Sequence, residues 1–183
     1  MNKLSGFTLI EMLMTVAVGA ILLMIGIPSF RYVTNSNRIA AEINGLLGDM
    51  QFARSEAVKE GRPVTVCVSS NSTACDGVNV NTWQNGWIVF SDINGNAAVD
   101  GLNDVVLRVQ KPFASTDTFV ATNAVGAVTF NREGYANGIA AGTLIQLHDS
   151  TNTHSWTRCL SVNLVGLMVS QTYGTTTNGV QCQ

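Results

Sequence analysis

The sequence predicts an α+β protein in which one long, kinked N-terminal helix packs on an antiparallel β-sheet domain. Two observations predict this fold. Apolar residues recur at helical spacing through the first third of the chain, and short runs rich in β-branched and aromatic residues follow it. No second helical pattern separates these runs, so we expect an antiparallel sheet with the helix covering one face. A chain of 183 residues, 46% hydrophobic, can bury such a core.

The predicted helix begins near Phe7 and ends near Glu60. Between Phe7 and Ile27 the single charged residue is Glu11, and this run is long enough to span or nearly span a bilayer. A secretory signal fits the segment poorly, because there is no small-x-small cleavage site near Ile27, Pro28 follows directly, and the helical pattern continues beyond it. The first half of the helix is therefore predicted to be a membrane-spanning segment.

The second half of the helix is amphipathic. Its apolar residues recur at steps of three and four: Ile39, Ile43, Leu46, Leu47, Met50, Ala53, Ala57 and Val58. Pro28 removes a backbone hydrogen bond and Gly26 weakens the same turn, so we expect a kink or local melting between the halves. Gly61 and Pro63 predict the end of the helix.

The remainder of the chain is predicted to be strands and turns. The expected strands are residues 64–68, 86–91, 105–109, 127–131, 143–148, 159–162 and 167–170. Clusters of Gly, Asn, Asp and Ser separate them. Trp83, Trp87 and Trp156 are interpreted as core or sheet-face anchors.

Four cysteines, Cys67, Cys75, Cys159 and Cys182, follow the apolar segment. An even number beyond a membrane anchor favours disulfides in an oxidising compartment, and the absence of any C-x-x-C argues against zinc. Three pairings are possible. We favour Cys67–Cys75, which closes a short loop, and Cys159–Cys182, which ties the last residues to the domain.

The opening stretch Gly6-Phe7-Thr8-Leu9-Ile10-Glu11, before the apolar run, closely resembles the class III signal of type IV pilins and type II secretion pseudopilins. The resemblance implies that prepilin peptidase cleaves between Gly6 and Phe7 and that the new terminus is N-methylated. It also implies an assembly role for Glu11. A carboxylate in hydrocarbon costs several kcal/mol unless it is paired. In the family the partner is a terminal amine, the subunit's own or that of a neighbour in the filament.

The resemblance extends to the GspH/FimT/FimU family of minor pilins and pseudopilins, most closely to the FimU type. The stretches that carry it are Phe52-Ala53-Arg54-Ser55-Glu56-Ala57, Gly86-Trp87-Ile88-Val89-Phe90-Ser91-Asp92 and Phe130-Asn131-Arg132-Glu133-Gly134. They correspond to the helix end, the central strand and the following strand and turn. The resemblance is weakest after Cys159.

One departure bears on nucleic-acid binding. FimT-type pilins that bind DNA carry Gly-Arg-x-Arg near the C-terminus, where this chain has Gly166-Leu167-Met168-Val169, and residues 160–183 contain no Lys or Arg. Without cations there is no counterion release to drive binding, and the formal charge of the whole chain is −2. We therefore expect no DNA capture by this surface. Arg31 is expected at the membrane surface, and Arg38, Arg54, Lys59 and Arg62 are expected to face solvent or a neighbouring subunit.

Two further patterns have simpler explanations than a metal site or an active site. Asp92-Ile93-Asn94-Gly95-Asn96, with Asp100 and Asp104, has oxygen ligands at alternating positions, but Asn103 stands where an EF-hand has its bidentate Glu. An Asx-rich turn is the favoured explanation, with calcium a minor alternative. His148 and His154 flank Asp149, but no nucleophile elbow accompanies them, so we expect no enzyme, no catalytic residue, no metal and no cofactor.

The expected organisation is a leader at residues 1–6, a hydrophobic half-helix at 7–28, an amphipathic half-helix at 29–61 and a β-rich periplasmic head at 62–183. The expected function is that of a structural minor pilin in the tip or priming complex of a type IV pilus. Its partners would be other pilins through the N-terminal helix, prepilin peptidase and, before assembly, the bacterial inner membrane. A FimT-like DNA-binding pilin and a GspH-like pseudopilin of type II secretion are the alternatives.

Overall fold

The structure is a computed structural model that describes residues 6–101, 103–177 and 179–183. The chain divides into two compact units, one ending at Asn37 and the other beginning at Arg38. Helix α1 (Leu9–Glu60) contributes residues to both. Gly61, with φ of 69°, ends it and donates its amide to the Ala57 carbonyl at 3.0 Å. The predicted length of the helix is confirmed to within two residues.

The first unit is helical from Leu9 onward, and its side chains are largely exposed. Helix α1 contains an 18-residue window with a mean hydropathy of 2.3 and no buried residue, so by length and composition it could cross a membrane. The helix is continuous through Pro28, although proline cannot donate the hydrogen bond of that turn. The expectation of local melting is therefore wrong, and the kink stays a prediction.

The second unit contains eleven strands among the residues that the structure describes, and all their pairings are antiparallel. They are β1 (Val64–Val68), β2 (Trp87–Ser91), β3 (Val105–Gln110), β4 (Thr118–Ala121), β5 (Ala127–Phe130), β6 (Ala136–Asn137), β7 (Thr143–His148), β8 (Arg158–Val162), β9 (Met168–Thr172), β10 (Thr176–Thr177) and β11 (Val180–Gln181). One sheet has the order β3-β2-β1-β5-β6, a second has the order β4-β7-β8-β9, and β10 and β11 form a ribbon.

The strand predictions are confirmed for all seven expected strands, with ends that differ by no more than two residues. Antiparallel pairing is confirmed as well. The expectation of one sheet is wrong, because β4 and β7–β9 form a sheet of their own. Strand β4 was not predicted, since Thr118–Ala121 is only four residues long and lies between polar clusters.

The core forms where the apolar stripe of α1 packs against both sheets. The buried helix residues are Ile39, Ile43, Leu46, Met50, Ala53 and Ala57, which lie on the predicted face. Trp83 and Trp87 are fully buried and Trp156 is half-buried against the same core. Trp83 donates its Nε1–H to the Val125 carbonyl at 3.0 Å, which satisfies the indole inside the core.

Two disulfides join the cysteines in the pairing that the sequence favours. Cys67 at the end of β1 bonds to Cys75, with 5.6 Å between their Cα atoms. Cys159 in β8 bonds to Cys182, with 5.8 Å between their Cα atoms. The second bridge is buried with Leu144, so it anchors the C-terminal residues to the outer face of the four-stranded sheet.

Candidate functional site

The first helical turn is organised by Thr8 and Glu11. The Glu11 amide donates a hydrogen bond to the Thr8 hydroxyl at 3.3 Å, which makes Thr8 the N-cap of the helix that begins at Leu9. Thr-x-x-Glu is also the spacing of a capping box, and the helix dipole favours an acid in this turn. Gly6 and Phe7, between which cleavage is predicted, immediately precede this N-cap.

Glu11 begins an exposed face of the helix. This face contains Glu11, Met14, Thr15, Val18, Gly19 and Leu22 at helical spacing. The small residues Thr15 and Gly19 leave room for close approach of another helix, and Met14, Val18 and Leu22 are apolar. An acid at one end of an apolar helix face can pair with a cation in an environment that excludes water, where the interaction is strong.

In the head, Asp49 connects the helix to the five-stranded sheet. One of its carboxylate oxygens accepts from Trp87 Nε1 at 2.9 Å, and the other accepts from Arg108 Nη1 at 2.9 Å. The Arg108 guanidinium also lies over the Phe52 ring, 3.7 Å from its centroid. These contacts join α1 to β2 and β3, and they fix the rotation of the helix against the sheet.

Arg54 joins the helix to two turns. Its Nε donates to the Gly134 carbonyl at 3.0 Å and its Nη2 donates to the Val165 carbonyl at 3.2 Å. The turns approach so closely that a Cβ on Gly166 would lie 2.2 Å from the Gly134 oxygen. Arg54 was expected to face solvent or a neighbouring subunit. That expectation is wrong, because its donors satisfy backbone groups of its own head.

A second missed cluster links the helix to the loop before β4. Arg38 forms an ion pair with Asp117, whose side chain is 1% exposed, and Glu42 accepts a hydrogen bond from Ser115 at 3.4 Å. Burial, and then the nearby charge of Asp117, raises the pKa of Glu42 to about 7. The cluster therefore holds two carboxyl groups against one guanidinium. No sequence signal marks Asp117, which lies in a run of Ser, Thr and Asp.

The Asp92 turn is held by its own hydrogen bonds. Asp92 is fully buried, and its carboxylate accepts from the amides of Gly95, Asn96 and Ala97 and from the Thr65 hydroxyl. Asp100 and Asp104 accept further hydrogen bonds within the same loop. Because N–H and O–H donors occupy the Asp92 oxygens, the arrangement is the Asx-rich turn that the sequence favours.

His148 ends strand β7, and His154 lies in the turn that follows. Burial lowers the pKa of His148. Asp149 accepts hydrogen bonds from the Thr151 and Thr153 amides, and from the Thr151 hydroxyl. Its carboxylate therefore shapes the turn after β7. The His154 ring packs on Tyr173 with 4.2 Å between centroids.

The turn that would carry the DNA-binding arginines is apolar. Leu164, Val165 and Leu167 are about half exposed in the β8–β9 turn, and residues 160–183 contain neither a basic nor an acidic residue. Phosphate recognition by this surface would need cations that the segment does not contain.

The family of the type II transport protein GspH matches residues 42–166, and the prokaryotic N-terminal methylation motif matches residues 1–27. No curated protein matches the chain.

Two crystal structures of the type IV minor pilin FimU from Pseudomonas aeruginosa PAO1 resemble the fold. The P21 form has a TM-score of 0.56 and 20% identity, over 78% of this chain and 92% of FimU. The P65 form has a TM-score of 0.54 and 20% identity, over 74% and 91%. The similarity in structure confirms the predicted pilin fold.

Proposed function

Because the chain belongs to the GspH family and carries the N-terminal methylation motif of pilins and pseudopilins, we propose that it is a structural minor pilin of a type IV pilus. In this proposal the chain joins the tip or priming complex that starts the filament. The observation that carries it is Glu11, which lies in the first turn of an exposed apolar helix that leads to a head with the fold of FimU.

The proposed maturation begins in the inner membrane. Residues 1–6 are the leader, the peptidase cuts between Gly6 and Phe7, and the apolar half-helix holds the subunit until assembly. The Glu11 carboxylate then pairs with the amine of Phe7, in its own chain or in a neighbour. Removal of the helix from lipid into a filament core is favoured because the acid gains this partner.

The proposed head is a rigid periplasmic domain that contacts other pilins. Its disulfides suit the periplasm, and contacts of Asp49 and Arg54 hold the helix against both sheets. We propose no enzymatic step, because the family is structural and the polar clusters of the described head hold turns together.

The experiment is deletion of the gene in its own bacterium, scored by surface pili, twitching and DNA uptake. Loss of pili together with uptake would support a priming subunit, and the wild-type gene should restore both. Normal pili with lost uptake would overturn the proposal in favour of DNA capture.

A second candidate is supported by the family itself, whose name is that of a type II transport protein. A GspH-like pseudopilin would act in exoprotein release. Deletion that leaves pili and twitching intact but blocks release would select this candidate.

A further inference from the structure

Exposed strand edges are usually protected from pairing with other chains by charge, bulges or short length. The two larger sheets of the head have four edges among the described strands. At one edge, β3 carries Arg108 and pairs through a register shift at Val89 and Phe90. Strand β6 has only two residues. Strand β4 is covered, since Val120 bridges to Thr82.

Strand β9 lacks these protections. It spans five residues in continuous register with β8 and contains no charged residue, no proline and no bulge. The turn between β8 and β9 determines which backbone groups of β9 point away from β8. The Asn163 amide donates to the Leu167 carbonyl at 3.1 Å, so 163 and 167 form a hydrogen-bonded pair. Because such pairs alternate, Met168 and Ser170 direct their backbone groups away from β8.

Within the part of the chain that the structure describes, the Met168 and Ser170 amides have no backbone partner in a loop or turn. Ser170 itself is exposed. The strand therefore presents the alternating donors and acceptors that another strand needs.

The turn before β9 adds apolar contact area to this edge. Leu164, Val165 and Leu167 are half exposed, and Val58 at the end of the helix is 54% exposed beside Gly134. We name the turn 164–167 together with β9 the β9 edge. Residues 160–183 contain no charged side chain, and the nearby Arg54 guanidinium is bonded to the Gly134 and Val165 carbonyls. The β9 edge therefore complements an uncharged polypeptide and not a phosphate or a lipid headgroup.

We propose that the β9 edge binds an extended, uncharged segment from the head of a neighbouring filament subunit, which adds a strand to the four-stranded sheet. Main-chain hydrogen bonds to Met168 and Ser170 would give affinity, and the apolar turn would give specificity. This inference rests on the proposed function, because the neighbour is present only in a filament.

The size of the β9 edge agrees with this occupant. A five-residue strand and one turn cover on the order of a few hundred Å², which is below the roughly 1,200 Å² of a stable independent complex. The contact forms when the N-terminal helices hold two heads together, since tethering raises the effective concentration.

The test uses the full chain in its own bacterium, with a photo-crosslinking amino acid at position 167. Sheared filaments should give a crosslink to another pilin subunit. Ser170→Pro removes the outward amide without removing a β8 hydrogen bond, and should lower the yield about tenfold relative to Ser170→Ala. The same amino acid at position 105, on the bulged β3 edge and 59% exposed, should give little crosslinking.

Equal yields for Ser170→Pro and Ser170→Ala would overturn the inference, as would a DNA or lipid adduct or an equal yield at 105. If Ser170→Pro does not accumulate, Leu167→Asp with the crosslinker at position 169 replaces it. A charge in the turn should abolish the crosslink, and an unchanged crosslink would overturn the inference. A chain absent from sheared filaments would overturn the proposed function. A chain present without a crosslink at 167 would overturn this inference alone.

Discussion

Arg38 and Asp117, 79 residues apart, meet through two contacts: Nε lies 2.8 Å from one carboxylate oxygen and Nη2 donates to the other at 2.9 Å. The ion pair joins the helix to the loop before β4. Glu42, one helical turn from Arg38, shares this environment, and its buried Oε2 has no hydrogen-bond partner among the described residues. The single positive charge of Arg38 thus interacts with two carboxyl groups, those of Asp117 and Glu42.

We predict that Glu42→Gln reduces the pH dependence of stability. The pKa of Glu42 is raised from 4.5 to about 7, so the folded chain retains a proton that the unfolded chain loses. Its contribution is present below about pH 4.5 and is lost as pH rises through 7. After allowance for solvent screening at this partly exposed acid, the variant should be about 1 kcal/mol more stable than wild type at pH 8.

Urea unfolding of the full chain in detergent at pH 4.5 and 8 measures this difference. His148 changes stability in the opposite direction, since its pKa is lowered, but it is common to both proteins and cancels. Glu133→Gln, at an exposed acid, is the control. If the stability of Glu42→Gln changes between pH 4.5 and 8 as much as that of wild type, the raised pKa of Glu42 is contradicted.

We predict that Arg54→Ala destabilises the head by about 1–3 kcal/mol, because it leaves the Gly134 and Val165 carbonyls without their donor. Arg54→Lys should retain only part of the stability that Arg54→Ala loses, since a single ammonium replaces two fixed donors. Urea midpoints of both variants, compared with Lys59→Ala at an exposed site, provide the measurement. Equal urea midpoints for Arg54→Ala and Lys59→Ala would contradict the prediction.

We predict that Gly166→Ala destabilises the head more than Gly174→Ala. Both glycines have positive φ, 75° and 82°, so each alanine carries about 1–2 kcal/mol of left-handed strain. At Gly166 the new Cβ would also meet the Gly134 oxygen at 2.2 Å, whereas nothing lies within 4 Å at Gly174. Thermal unfolding ranks the two variants. The reverse order would show that the two turns can separate without loss of stability.

We predict that Glu11→Ala is still cleaved after Gly6 but enters filaments poorly. In the proposed function the peptidase reads the leader, while assembly needs the acid to pair with the amine of Phe7. Immunoblots separate precursor from mature chain, and sheared filaments report incorporation. Thr15→Ala, one turn along the same face, is the matched control. Normal incorporation of Glu11→Ala into filaments would contradict the proposed assembly role of Glu11.

We predict that removal of the Cys159–Cys182 bridge by the double alanine variant lowers stability by about 3 kcal/mol. The bridge closes a loop with a sequence separation of 23, compared with 8 for Cys67–Cys75, so removal of the shorter bridge should have a slightly smaller effect. Guanidinium midpoints of both double variants test the order. Loss of the Cys159–Cys182 bridge alone should also release residues 173–183 from the head, which limited proteolysis would detect as cleavage in this segment.

The helix and the strands could be predicted because their signals are local. Ile39 to Ala57 follow a three-four repeat, and Gly61 marks the end of the helix in a short stretch of sequence. The Cys67–Cys75 pairing was favoured for the same reason, because eight residues separate the two cysteines.

The division into two sheets could not be predicted, since strand partners depend on packing between distant segments. Strand β1 pairs with β5 more than sixty residues later, and alternation in Val64–Val68 carries no information about that partner. The Arg54 and Arg38 contacts were missed for a related reason. Their acceptors are a carbonyl in a glycine turn and one acid among several, and neither differs in sequence from a solvated residue.

The uncharged side chains of the C-terminal stretch, residues 160–183, have a consequence for how contacts made through it respond to salt. Dissolved salt weakens attractions between exposed charges beyond about 10 Å at 0.1 M. A surface made of Leu164, Val165, Leu167 and backbone amides has no such charges to screen. Contacts made through it are therefore not weakened by screening, and salts that are excluded from protein surfaces strengthen their apolar part.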